Sequence, residues 1–211
     1  MSLRFNVQPP TSNSQGTLCR GNLFGGWKLA VGISLVFVVT IAAAGTWRIP
    51  QGDVRVMCPM TIGGSFDAKT SAVSGSLTSS AAHPPAFDGS LAVDLRTLDT
   101  GIGLRNDHLR EKYLEVDKGA GYDKAVLSDI DLKGLNPDAP EGKGSFTGSL
   151  TLHGVKKTVT GPVEVKKTGP GLRIKASFPV NLPDYNIPEP RYLGVGVKNT
   201  VQVEVIFTAT Q

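Results

Sequence analysis

The stretch Thr200–Thr210 reads TVQVEVIFTAT, and it decides the fold. Val201, Val203, Val205 and Phe207 recur at every second position, opposed by Gln202 and Glu204. In an extended chain successive side chains point to opposite faces, so this segment has one apolar and one polar face. A helix would scatter the same residues around its circumference. The segment is a strand that covers an interior on one side only.

The same period returns upstream. In GLRIKASFPV (171–180), Leu172, Ile174, Ala176, Phe178 and Val180 form a row. In SFTGSLTLHG (145–154), Phe146, Leu150 and Leu152 oppose Thr147, Ser149, Thr151 and His153. In GSLAVDL (89–95), Leu91, Val93 and Leu95 oppose Ser90, Ala92 and Asp94. Shorter versions occur at Val54/Val56, Val73/Leu77 and Val163/Val165. One apolar face per strand describes an antiparallel sheet around a single interior. The 25 glycines and 14 prolines supply the turns such a chain needs. About eight strands of this kind close into a barrel or stack as a sandwich, and alternation serves either. It also describes a solid core as well as a hollow one, and an eight-stranded barrel has room for one slender ligand.

One stretch breaks the alternation. Residues 104–116 read LRNDHLREKYLEV, and Leu109, Tyr113 and Val116 recur at helical spacing. Asn106 is the expected N-cap, Asp107 falls in the first turn, and Gly119 and Gly121 end the element. The expected class is therefore all-β with one short inserted helix. Arg105, Asn106, Asp107 and His108 look by type like a reaction centre. No nucleophile elbow or HExxH motif accompanies them, and His83 and His153 stand at no ligand spacing from His108. The expectation is that these side chains cap the helix and tie it to the barrel mouth, with no catalysis and no metal. Arg105 and His108 are the candidates for contact with a ligand head group. His153 is expected in a tight turn before Gly154; alternatively it forms a phosphate-attracting rim with Lys156 and Lys157.

Charge excludes one class of partner. Before Asp53 the only charged residues are Arg4, Arg20, Lys28 and Arg48, so 22 basic residues less these four leaves 18 against 18 acidic ones. The strand-rich region is formally neutral and offers no basic face for nucleic acid. The two cysteines, Cys19 and Cys58, form no CxxC pair.

The basic segment contains WKLAVGISLVFVVTIAAAGTW (27–47), uncharged between Lys28 and Arg48. Some 20 helical residues cross the roughly 30 Å hydrocarbon core, and a tryptophan beside a cation marks each end. The expectation is a single spanning helix over 27–47, a polar cytoplasmic tail over 1–26 and the β-domain over 48–211. The competing reading is a cleaved signal with Ala42–Ala43–Ala44 as its site, against which stands the long leader. Arg4, Arg20 and Lys28 favour a cytoplasmic amino end and a β-domain on the far side of the membrane.

The succession DLRTLDTGIGLRNDHLREKYLEV (94–116), GSFTGSLTLHGVKKTVTGPVEV (144–165) and LGVGVKNTVQVEVIFTAT (193–210) resembles the YceI-like polyisoprenoid-binding family. Leu98, Asp99, Thr100 and Gly101 are similar to its strand-ending turn, and Arg105, Asn106, His108 and Leu109 to its helix start. Leu152, His153, Gly154 and Val155 are similar to its later turn. The three motifs stand in the family's order, and the likeness runs over roughly residues 47–211. The chain departs from the pattern in GYDKAVLSDIDL (121–132), which lacks the usual aromatic-proline-x-x-phenylalanine, and in CPM (58–60) and Pro84–Pro85. The resemblance implies an antiparallel eight-stranded lipocalin-like barrel whose interior holds an isoprenoid chain or a quinone-like molecule. It also implies a periplasmic or secreted setting, which with the expected spanning helix gives a β-domain on the periplasmic side of a bacterial inner membrane. The lining would be the inward row: Leu91, Val93, Phe146, Leu150, Leu152, Ile174, Phe178, Val203, Val205 and Phe207. An apolar tail there gains about 25 cal/mol per Å² buried, while polar rim groups orient its head. The other function the sequence admits is a non-catalytic accessory subunit of a respiratory or photosynthetic membrane complex. Its spanning helix and tail would dock on integral partners, since Gly32, Ser34, Ala42, Ala43, Ala44 and Gly45 permit close packing.

Overall fold

The computed structural model describes residues 45–79, 86–136, 141–169, 171–192 and 194–211. The expected polar tail, the expected spanning helix up to residue 44, Cys19, His83 and Pro84–Pro85 lie outside the described residues. Among the described residues no helix is long and apolar enough to cross a membrane.

Among the described residues twelve strands form: β1 (Thr46–Ile49), β2 (Gly52–Pro59), β3 (Ser65–Thr70), β4 (Val73–Ser79), β5 (Ala86–Asp94), β6 (Lys124–Lys133), β7 (Gly142–Leu152), β8 (Val155–Thr168), β9 (Gly171–Asn181), β10 (Arg191–Tyr192), β11 (Val195–Gly196) and β12 (Thr200–Thr210). β1 and β2 are halves of one bent strand, because Thr46↔Thr78 and Val54↔Thr70 continue one register across Pro50. β3 and β4 are likewise halves of the next. Without an N–H, Pro50 cannot join the ladder, and the strand bends where it stands.

Counted this way, eight antiparallel strands follow one another around the sheet. β12 closes it, pairing with β9 along its whole length and with β2 and β1 on its other edge. The sandwich alternative is thereby excluded, because among the described residues the sheet returns on itself.

The strand at β1 corrects one boundary. Thr46 and Trp47, read above as the end of a spanning helix, pair with Thr78 and Leu77. The alternation explains why: Trp47 and Ile49 face inward while Thr46 and Arg48 are exposed, so the Trp–Arg pair serves a strand. Leu95, read as the last inward strand residue, starts a 3-10 turn instead and stays buried.

The helix is real but starts earlier than its capping signal suggests. Helix α1 (Gly103–Asp107) runs into a single π-helical segment, His108–Tyr113. Asn106 lies inside α1 and is not its N-cap. Its side chain reaches back over the preceding turn: Oδ1 accepts from the Thr100 backbone N–H at 2.8 Å, and Nδ2 donates to Asp99 Oδ1 at 2.7 Å. Asp99 also accepts from the Gly101 N–H at 2.9 Å; that bond, then the Asn106 amide, holds its carboxyl below the usual range. Replacing Asn106 by Ala should cost about 1–2 kcal/mol, read in a denaturant melt, by leaving these turn groups unpaired. Val116 is not part of the helix either. Glu115, in left-handed conformation at φ 50°, breaks the path, and Val116–Lys118 form a separate 3-10 turn.

Candidate functional site

Inside the barrel lies a cavity of about 1170 Å³, just above the roughly 300–1,000 Å³ common for small-molecule pockets. This settles what alternation left open. Val203, Val205, Leu127, Ile174 and Ala176 sit on the inner faces of strands flanked on both sides, yet none is fully buried. Their remaining exposure faces the lumen. Solid packing survives around its walls, with Phe146 and Phe178 edge-to-face at 5.6 Å.

All twelve residues proposed from sequence line this space: Leu91, Val93, Phe146, Leu150, Leu152, Ile174, Phe178, Val203, Val205 and Phe207 on the strands, and Arg105 and His108 at one end. The ten strand residues come together because each sits on the inward parity of its strand. Arg105 and His108 join them because α1 follows β5 and folds over that end of the barrel.

The helix end has a built cover of two segments. One is residues 103–118; the other is a strap over 182–197 that carries the β10–β11 hairpin. The Tyr113 hydroxyl ties them, donating to the Arg191 carbonyl at 3.2 Å and accepting from the Arg191 N–H at 3.1 Å. The Arg105 guanidinium stacks 4.1 Å over the Phe66 ring, a cation–π contact that orients it across the opening. Arg110 donates to the Leu98 carbonyl at 2.8 Å. Ile102 and Leu104 line the cavity and are half exposed, at 50% and 55%. The opposite end is bounded by Trp47, Phe87, Leu135 and Gln211.

Polar chemistry in the lumen is sparse. Cys58 lines it, and burial pushes its thiol up to about 11, so it stays protonated and poorly nucleophilic. Among the described residues no group of three His, Cys, Asp or Glu could hold a metal ion. The arrangement can bury an apolar chain and meet a polar head at the Arg105 end.

His153 does not sit on an exposed cationic rim. It is 8% exposed, at φ 51° in the two-residue turn between β7 and β8, and Lys156 beside it pairs with Asp129 at 2.8 Å. Period-2 reading assigned it an outward, solvated place, but the strap and the exit of the helix cover that side. The strap itself was missed. Ile187, Pro190, Val195 and Val197 line the cavity from a segment with no period of two or 3.6. Tyr113 was read only as an apolar helix position.

A family model described as the YceI-like domain matches residues 47–209. A UPF0312 protein of Enterobacter sp. (strain 638) is 31% identical over 122 residues, 54% of this chain and 58% of that protein, so the match spans little more than half of the relative. A polyisoprenoid-binding domain from Saccharophagus degradans superposes with a TM-score of 0.59 at 15% identity, covering 78% of this chain and 97% of that one. BcnA from Burkholderia cenocepacia does so with a TM-score of 0.58 at 22% identity, covering 74% and 96%. At such identities the likeness is one of fold.

Proposed function

This chain belongs to the YceI-like domain family, and from that premise we propose that it is a non-catalytic protein holding an isoprenoid or quinone-like lipid with its chain in the barrel lumen. The observation that carries the reading is the cavity: apolar along the strands, with Arg105 and His108 at its covered end. Each methylene moved from water into such a lumen contributes about 0.8 kcal/mol. A lipid drawn from a bilayer gains almost nothing this way, because it leaves one apolar medium for another. Discrimination then falls to chain shape and to the head group. The solved barrel from Saccharophagus degradans, described as polyisoprenoid-binding, supports the ligand class. The setting we propose is periplasmic, with residues 27–44 as an inner-membrane anchor that keeps the barrel beside its lipid supply.

Native mass spectrometry of the full chain, extracted in mild detergent, tests the reading. A stoichiometric lipid with an isoprenoid fragmentation pattern is expected. A lipid-free protein that also fails to bind added farnesol would reject it. Co-purification of integral membrane subunits with an empty barrel would favour the accessory-subunit role instead. Arg105→Gln should weaken binding of farnesyl diphosphate about tenfold and of farnesol less than about twofold, measured by titration calorimetry, because a charge-assisted contact is lost only with the anionic head.

A further inference from the structure

His153 lies outside the cavity, yet every segment that covers the helix end of the barrel meets it. Its Nδ1 is 3.0 Å from the Tyr185 carbonyl oxygen in the strap, and its Nε2 is 3.0 Å from Glu115 Oε2 at the exit of the helical segment. The Tyr122 ring stands edge-on at 4.7 Å, and the neighbouring Gly154 N–H donates to the Gly121 carbonyl at 2.9 Å. Two residues of this joint hold left-handed backbone without being glycine, His153 at φ 51° and Glu115 at φ 50°. Two-residue hairpin turns of this kind favour Asn or Gly. A histidine there bears a backbone cost that its side chain must offset.

The bond chemistry is restrictive. A carbonyl oxygen only accepts, and an ionised carboxylate only accepts. A neutral imidazole has a single N–H and satisfies one of the two partners. Lys118 donates to Glu115 at 2.7 Å, and that bond, then the His153 contact, holds the Glu115 carboxyl below its ordinary range. Both contacts are hydrogen bonds at once only when the ring carries two hydrogens.

We propose that His153, as an imidazolium donating from both nitrogens, is the positioning residue that joins the helical cover to the strap, and that losing one ring hydrogen loosens this cover as pH rises. The groups facing the ring are Glu115 and Lys118 from the helix exit, Tyr122 from the lead into β6 and the Tyr185 carbonyl from the strap; Lys156 of its own hairpin turns to Asp129. The sign follows from the bonds. Both hold while the ring carries two hydrogens; on the alkaline side a single hydrogen serves one partner only, and one of the two ties is lost. If the barrel holds a lipid as proposed above, ligand release accelerates in the same direction.

Hydrogen–deuterium exchange of the full chain, corrected for intrinsic rates, tests this at about pH 5.5 and about pH 8.5. Exchange in 103–118 and 182–197 should be about tenfold faster at the higher pH, as expected for one lost charge-assisted bond. Glu115→Gln supplies the discriminating variant, because its amide can donate to the bare Nε2 of a neutral ring. Its exchange in both segments should be slow and the same at both values. Nitrogen-15 imidazole spectra should show both ring nitrogens of His153 protonated at the lower pH and one of them bare at the higher. Equal exchange in the parent protein, a single ring tautomer at both values, or pH dependence surviving Glu115→Gln would each overturn the proposal. Farnesol release, followed in parallel, separates the two readings: a protein that takes up no farnesol but passes the exchange test loses the lipid role and keeps the joint.

Discussion

Ala176→Trp should leave the barrel folded and abolish uptake of an apolar chain. Ala176 sits on the inner face of β9 between Val163 of β8 and Val205 of β12, lines the cavity and is not fully buried. In a close-packed core, forcing in so large a side chain costs about 1–3 kcal/mol or more. Here the indole projects into open volume, so the melt should move by less than about 1 kcal/mol. It fills the width of the lumen, and binding of farnesol or a longer isoprenoid should weaken by more than about 100-fold, near the effect of losing several buried methylenes. Lys175→Trp, on the exposed face of the same strand, is the control and should bind as the parent does. A strongly destabilised Ala176→Trp protein would mean a filled interior. A stable one that still bound would place the ligand elsewhere.

Why the inward row could be named from sequence, and the cover could not, is a matter of period. Val203, Val205 and Phe207 share a face because a strand alternates strictly, and antiparallel pairing turns that face toward one interior whatever the neighbours are. Nothing in the same pattern reports volume. A row of valines reads alike against packed side chains and against empty space, so hollowness emerged only when all eight strands stood at their distances. The cover is irregular: the strap over 182–197 turns through Asn186 at φ 57° and contributes Ile187 and Val197 by way of loop geometry. Its partners lie far off in sequence, as Tyr113 and Arg191 do. Asn106 illustrates a different failure. Its residue type is that of a capping group, but it satisfies the turn at 99–101 from inside the helix, whose N-cap is Ile102, four residues before Asn106. His153 was legible as a turn residue and illegible as a buried one, because the elements that bury it are non-local.

The same substitution made twice should give two different costs, and this measures the lumen directly. Ile49 is 1% exposed in a tight cluster with Leu77, Leu91, Ile130, Phe207 and Ala209 at the β1 seam of the barrel. Ile174 also faces inward but retains exposure to the cavity it lines. Truncating either removes the same atoms. Ile49→Ala leaves a void that the surrounding strands cannot close, and should cost about 4 kcal/mol. Ile174→Ala only widens a void that already exists; its missing atoms had few partners on the lumen side, and the cost should be about 1–2 kcal/mol. Chemical denaturation of both variants without ligand provides the comparison, and a saturating lipid sharpens it. A bound chain would supply Ile174 with the contacts it lacks, raising the parent's stability through preferential binding to the folded state. The cost of Ile174→Ala should then climb toward that of Ile49→Ala, while the Ile49→Ala value stays fixed. Equal costs in the lipid-free protein would show that the wall at Ile174 is packed as tightly as the seam, and would remove the space on which lipid binding depends.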